Sequence, residues 1–207
     1  MRRGPRKARY DRAAIDAVLS RGLLAHVSFA DSGQPYCIPM LYAHVGDGLY
    51  VHGSRRSRAV RLLATGRPAC ATVTLLDGLV LARSVFEHSA NYASLIALGS
   101  FQAVTDADER LAALEAFTER LVPGRWAEVR APSANELRAT AILQLPLDEV
   151  SVKSRSGPPD DGNSSDAGRS TWAGVLPIET RFGTPIPAPE LADNIPLAPS
   201  VQRLTRR

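Results

Sequence analysis

The chain has 207 residues, of which 44% are hydrophobic and 22% charged, a length and balance that suit one globular domain with some excess for tails or linkers. No apolar run approaches the ~20 residues of a membrane-spanning helix, and the basic start Met1-Arg2-Arg3-Gly4-Pro5-Arg6-Lys7 leads into an amphipathic segment rather than a signal peptide's apolar stretch, so a cytoplasmic location with no membrane partner is expected. The net charge of +4 gathers at the ends, in Arg2, Arg3, Arg6, Lys7, Arg9 and Arg12 and in Arg203, Arg206 and Arg207; this reads as solvated tails, and the interleaved aromatics of a nucleic-acid platform are missing.

In chain order, Asp11 is placed to cap a helix over 12–21, with Ile15, Val18 and Leu19 on one face and Gly22 as a left-handed stop. From residue 23 the rhythm changes to short strands: 23–29, a turn at Asp31-Ser32-Gly33, 35–45, a turn at Gly46-Asp47-Gly48, and 49–53. Pro39 cannot donate to a ladder, so it marks an edge, a bulge, or a place where a ligand replaces the neighbouring strand. Ser57 opens a short helix to Thr65, closed by Gly66 and Pro68. Strands over 69–76 and 79–86 then flank Asp77-Gly78, a two-residue hairpin signal, and another covers 93–104. Asp106 and Glu109 form a capping-box pattern ahead of a helix whose Leu111, Leu114, Phe117 and Leu121 keep the helical period to Pro123-Gly124. Ser133 and Glu136 start one more short helix, and 139–153 return to strand.

Residues 154–170 are polar and turn-rich and read as a linker, after which Trp172 to Ile178 is an apolar segment that should dock onto the rest. The expected organisation is a basic tail (1–8), a main domain (9–153), the linker (154–170), and a C-terminal docking segment and tail (171–207). Cys37 and Cys70 have no CxxC partner and read as buried thiols. The four histidines, His26, His44, His52 and His88, show no close metal-ligand spacing, so no metal site is expected; a haem held by a single histidine stays open.

Chemistry concentrates where a strand ends in His52-Gly53-Ser54 and runs through Arg55, Arg56, Ser57 and Arg58 into a helix. Unpaired N–H groups, the positive end of the helix dipole, hydroxyls and guanidinium forks converge there, which is how a phosphate site is built. A capped surface helix with solvated arginines is the alternative.

This strand-His-Gly-Ser-x-x-Ser-Arg-helix arrangement resembles the cofactor-phosphate segment of the pyridoxamine 5'-phosphate oxidase-like FMN-binding split-barrel family. Arg9-Tyr10-Asp11-Arg12, Ile38-Pro39-Met40, Ser84 to Tyr92, and Trp172 to Pro177 are similar to its nitroimidazole-resistance and flavin-nucleotide-binding branch. The resemblance implies a mainly β fold with inserted helices, a six-stranded antiparallel split β-barrel that forms a homodimer with FMN in clefts between subunits. It implies that Ser57 and Arg58 hold the phosphate, that His52, Gly53 and Ser54 line the approach, that Pro39, Met40 and Tyr42 run beside the flavin ring, and that Ser89 and Asn91 make polar contacts to the cofactor. Ala59 stands where the parent oxidases have lysine, which tells against the parent activity. The functional expectation is an FMN-dependent oxidoreductase for a small organic molecule, a nitro compound or a pyridoxal-like heterocycle; the alternative is a non-catalytic flavin- or haem-binding module. No catalytic residue is identifiable, because a flavin brings its own chemistry.

Overall fold

A computed structural model describes residues 8–205 of the chain; Arg2, Arg3, Arg6 and Lys7 of the basic tail, and Arg206 and Arg207, lie outside the described residues. The fold is mainly β with inserted helices and antiparallel pairing. Ten strands occur among the described residues, against the six expected. The surplus comes largely from short pieces of two to four residues: β1 (Ala8–Arg9), β7 (Gln102–Ala103) and β10 (Gly174–Pro177).

The chain forms two compact units that interleave along the sequence. The first contains helix α1 (Arg12–Arg21), strand β2 (Leu24–Asp31), the first part of β3 (Gln34–Val45), and strands β5 (Pro68–Leu81), β6 (Ser89–Ser100) and β9 (Glu149–Arg155). Asp11 caps α1 as expected, its carboxylate accepting the Ala14 N–H at 3.0 Å. Gly22 ends the helix in an extended conformation, φ −71° and ψ 150°, rather than in the left-handed one expected, because β2 follows at once. The buried face of α1, Ile15, Val18 and Leu19, lies over β9. Cys37 is exposed and Cys70 half-buried, so neither is the buried thiol expected; Cys37 lies on a stretch of β3 with few buried side chains.

Asp77-Gly78 is not a hairpin turn. It lies inside β5, one uninterrupted strand of fourteen residues. The tertiary partner explains why: β10 pairs antiparallel with Gly78 to Leu81, and the Ile178 N–H donates to the Asp77 carbonyl at 3.1 Å. A Cβ on Gly78 would come within 2.9 Å of the Leu176 carbonyl oxygen, so glycine here permits a close backbone approach. The apolar segment after the linker thus docks by adding a strand. The stretch 139–153 is likewise two strands, β8 (Thr140–Pro146) and β9, broken at Leu147-Asp148.

The polar stretch after Arg155 has neither helix nor strand up to β10, yet it is anchored. Asp161, 1% exposed, accepts from the Arg83 backbone N–H at 2.6 Å and from its guanidinium at 2.8 Å. Removing that carboxylate strands a backbone donor and half of an ion pair. We therefore expect Asp161→Ala to cost about 1–3 kcal/mol and to make residues 156–170 sensitive to protease. Chemical denaturation and limited proteolysis check this; wild-type resistance in the variant would show that the pair is not the anchor.

The second unit takes the rest of β3, strand β4 (Gly48–Ser54), helix α2 (Arg58–Leu63), β7, helix α3 (Ala107–Leu121), helix α4 (Ala134–Ala139), β8, and the C-terminal helix α5 (Pro199–Thr205). Here β4 lies between β3 and β8, and β7 completes the edge. Asp106 caps α3 through the Glu109 N–H, and Ser133 and Glu136 form a reciprocal capping box on α4, both as expected. The core joins Ala43, Tyr50 and Ile142 of the strands to Ala113 and Phe117 of α3.

Candidate functional site

Strand β4 delivers the most informative residues of the sequence. Its alternation sends Tyr50 and His52 toward α3: the Tyr50 hydroxyl donates to Glu109 at 3.2 Å, and the His52 ring meets Phe117 edge-on at 4.5 Å. His52 opens into a recess of about 590 Å³ whose walls come from α3 (Leu114, Phe117, Leu121) and from the chain beyond it (Val122, Trp126, Val129), with Arg125, Arg130 and Glu136 as its charged members. His52 is exposed to solvent on its open side, and the protein packed against the rest of the ring lowers its pKa below the ordinary histidine value of 6.5. The shift favours the neutral imidazole.

That shift has a sign. The unfolded chain takes up a proton near pH 6.5 and the folded chain resists it, so the contribution of His52 to stability is complete above that pH and is lost as pH falls toward the lower folded value. Urea midpoints at pH 7.5 and 5.5 should accordingly differ more in wild type than in His52→Phe. An equal difference in both proteins would refute the assignment.

The charged members of the recess are held in place. Arg130 binds both Glu136 oxygens, at 2.6 and 2.8 Å, and this bond, followed by the Ser133 N–H, keeps the Glu136 carboxyl far below the usual range. Glu119 accepts the N–H groups of Gly124 at 2.6 Å and Trp126 at 2.9 Å, which lower its pKa in that order and fix the turn after α3.

Where β4 ends, a tight turn leads into α2. The Ser54 hydroxyl accepts the Arg56 N–H at 3.2 Å, the Ser54 carbonyl accepts the Ser57 N–H at 2.9 Å, and the Arg55 N–H donates to the Ala139 carbonyl at 3.0 Å. Ser57 occupies the N-cap position, but its side chain makes no capping bond, so the hydroxyl is not spent on the helix. Arg58, exposed, starts the first turn, whose N–H groups have no partner within the helix. Arg55, Arg56 and Arg61 are exposed around it. Gly53 serves packing: a Cβ there would meet Val60 at 2.8 Å, so its absence lets α2 lie close on β4.

Tyr42 is 1% exposed, with the Arg120 guanidinium 5.0 Å over its ring and donating to its hydroxyl; burial raises its pKa. Pro39, exposed, and Met40, half-buried, lie on the part of β3 that belongs to the first unit, as do Ser89 and Asn91 on β6. Ser89 is exposed, and the Asn91 side-chain oxygen accepts from Arg155 at 2.7 Å. One unit thus gathers Tyr42, His52, Gly53, Ser54, Ser57 and Arg58. Sequence reading missed Arg125, Trp126 and Arg130; a tryptophan flanked by arginines just past a Pro-Gly helix stop is the only local cue to them.

No curated protein matches the chain. A structure described as the FAD and haem binding protein from Mycobacterium smegmatis superposes with a TM-score of 0.91 at 42% identity, over 96% of this chain and 97% of that one. The flavocytochrome Anf3 from Azotobacter vinelandii gives a TM-score of 0.91 at 35% identity, over 99% and 94%. Residues 11–154 match the family model described as Pyridoxamine 5'-phosphate oxidase, and with most of its length so matched, this chain belongs to that family.

Proposed function

We propose that this chain is a flavin-binding oxidoreductase that also holds a haem, with His52 as the iron's ligand and the flavin phosphate at Ser57 and Arg58. The single observation that carries the haem half is His52 at the apolar recess. Its lowered pKa favours the neutral, metal-ligating imidazole, the apolar walls suit the faces of a macrocycle, and Arg125 suits a carboxylate of the ligand.

Family membership supports the flavin half. The expectation of FMN widens to FMN or FAD, since the Mycobacterium smegmatis relative is described as binding FAD and haem, and the Azotobacter relative as a flavocytochrome. When bound, the flavin supplies hydride and electron transfer and the haem one-electron transfer. This chain's own residues bind them: Ser57, Arg58 and the first-turn N–H groups take phosphate charge, and Phe117 and Trp126 give the His52 recess apolar walls. Pro39, Met40, Ser89 and Asn91 are retained as flavin contacts, with Tyr42 as buried support.

The small-molecule substrate, a nitro compound or pyridoxal-like heterocycle, the six-stranded barrel, the cytoplasmic location and the homodimer belong to the same proposal. Among the described residues no helix is long and apolar enough to cross a membrane. Val85 and Phe86, 89% and 91% exposed, and Trp172, 67% exposed, favour a second copy, because apolar side chains gain by being covered.

The deciding experiment is the visible spectrum of the purified protein before and after anaerobic addition of NADH or NADPH, with its mass by light scattering. Flavin and Soret bands that both bleach or shift on reduction support the proposal. A colourless protein that rejects both cofactors overturns it, a bound flavin that no donor reduces returns the protein to a passive module, and a monomer that binds flavin stoichiometrically removes the shared cleft.

A further inference from the structure

The C-terminal helix touches the chain that walls the His52 recess, and it does so through a carboxylate already engaged with a recess arginine. Arg125 donates from Nη1 to Glu128 Oε2 at 3.2 Å. The same carboxylate accepts the Ser200 N–H at 2.8 Å on Oε1 and the Ser200 hydroxyl on Oε2, and Ser200 is 1% exposed. A second tether, Arg203 Nη2 donating to the Pro123 carbonyl at 3.4 Å, joins α5 to the start of the same turn. The Ser200 hydroxyl is the leading cause holding the Glu128 carboxyl below its usual pKa, so the group is ionised at neutral pH.

The two recess arginines are engaged differently. Arg130 has its fork filled by both oxygens of Glu136. Arg125 meets Glu128 through one nitrogen, which leaves the rest of its five-donor fork for an incoming carboxylate.

We infer that Glu128 is a positioning residue: clamped by Ser200 of the C-terminal helix, it sets the Arg125 guanidinium to receive a carboxylate of the recess ligand. This rests on the haem reading above, whose ligand carries two propionates. The start of α5 then supports the cofactor site without touching the cofactor, and it acts on the acid groups of the ligand rather than on the iron.

The test uses the full-length apoprotein, titrated with ferric protoporphyrin IX and, separately, with its dimethyl ester, and followed by the Soret band. Ser200→Ala should weaken binding of the free acid on the order of tenfold, the scale of one hydrogen bond to a charged group, and leave the ester within about twofold. Ser200→Thr, which keeps the hydroxyl, should recover the free acid. Glu128→Gln should show the same discrimination between acid and ester, and it serves if circular dichroism finds Ser200→Ala unfolded. Unchanged affinity for the free acid in both variants overturns the inference and leaves the haem reading standing, as does an equal loss for acid and ester, which would mark α5 as a plain structural support. A wild-type protein with no His52-dependent Soret band for either porphyrin overturns the haem reading, and this inference falls with it.

Discussion

His52→Ala should abolish the wild-type Soret signature and weaken haem binding by more than about 100-fold. Losing an outer-shell partner of a metal site typically costs 10–100-fold, and this variant removes the proposed ligand itself. The loss is specific because the ring is set by an edge contact at 4.5 Å to Phe117 and no other residue lining the recess carries an imidazole. Free imidazole added to the variant should restore a ligated spectrum by filling the space the ring vacates. An unchanged Soret band and affinity in His52→Ala would move the ligand to another histidine and empty the recess of its proposed role. The flavin content of the variant should not change, which separates this outcome from misfolding.

The other large effect concerns the turn after β4. Arg58→Ala should weaken FMN binding by roughly one to two orders of magnitude, because a hydrogen bond to a charged group contributes about 1.5–3 kcal/mol and each ~1.4 kcal/mol is tenfold in affinity. Arg58 sits in the first turn of α2, where the positive end of the helix dipole also favours an anion. Riboflavin, which lacks the phosphate, should bind wild type and variant alike. Titrating both ligands into both proteins decides it: equal losses indicate damage to the fold, and an unaffected FMN affinity shifts the phosphate to Arg55, Arg56 or Arg61.

Much of the local structure was legible because it is governed by neighbours in sequence. The Asp11, Asp106 and Ser133 caps are set by a side chain reaching a backbone N–H three residues on, and each appears where its pattern placed it. The strand-to-helix passage from His52 to Arg58 was likewise visible, since a strand end, a pair of hydroxyls and a helix start lie within seven residues. Ser57 corrected the detail: the residue type specified the N-cap position, but whether its hydroxyl caps the helix was settled by geometry.

What composition and local patterning determined by themselves was the class of the chain, mainly β with capped helices inserted, and one anion-ready turn. The tertiary structure decided the rest, because each remaining feature depends on groups far apart in sequence. Asp77-Gly78 carries a turn signal, but a turn forms only if no partner claims the backbone, and β10, about a hundred residues later, claims it. The polar stretch after Arg155 looks free until Asp161 meets Arg83 across 78 residues. The recess depends on α3 laying Phe117 beside His52 across the fold, and the chain next to it is joined to α5 by Glu128 accepting from Ser200, 72 residues away. Pairings of that kind repay the entropy of closing a long loop only through burial and hydrogen bonds that the folded chain supplies, so no local pattern in the sequence records them.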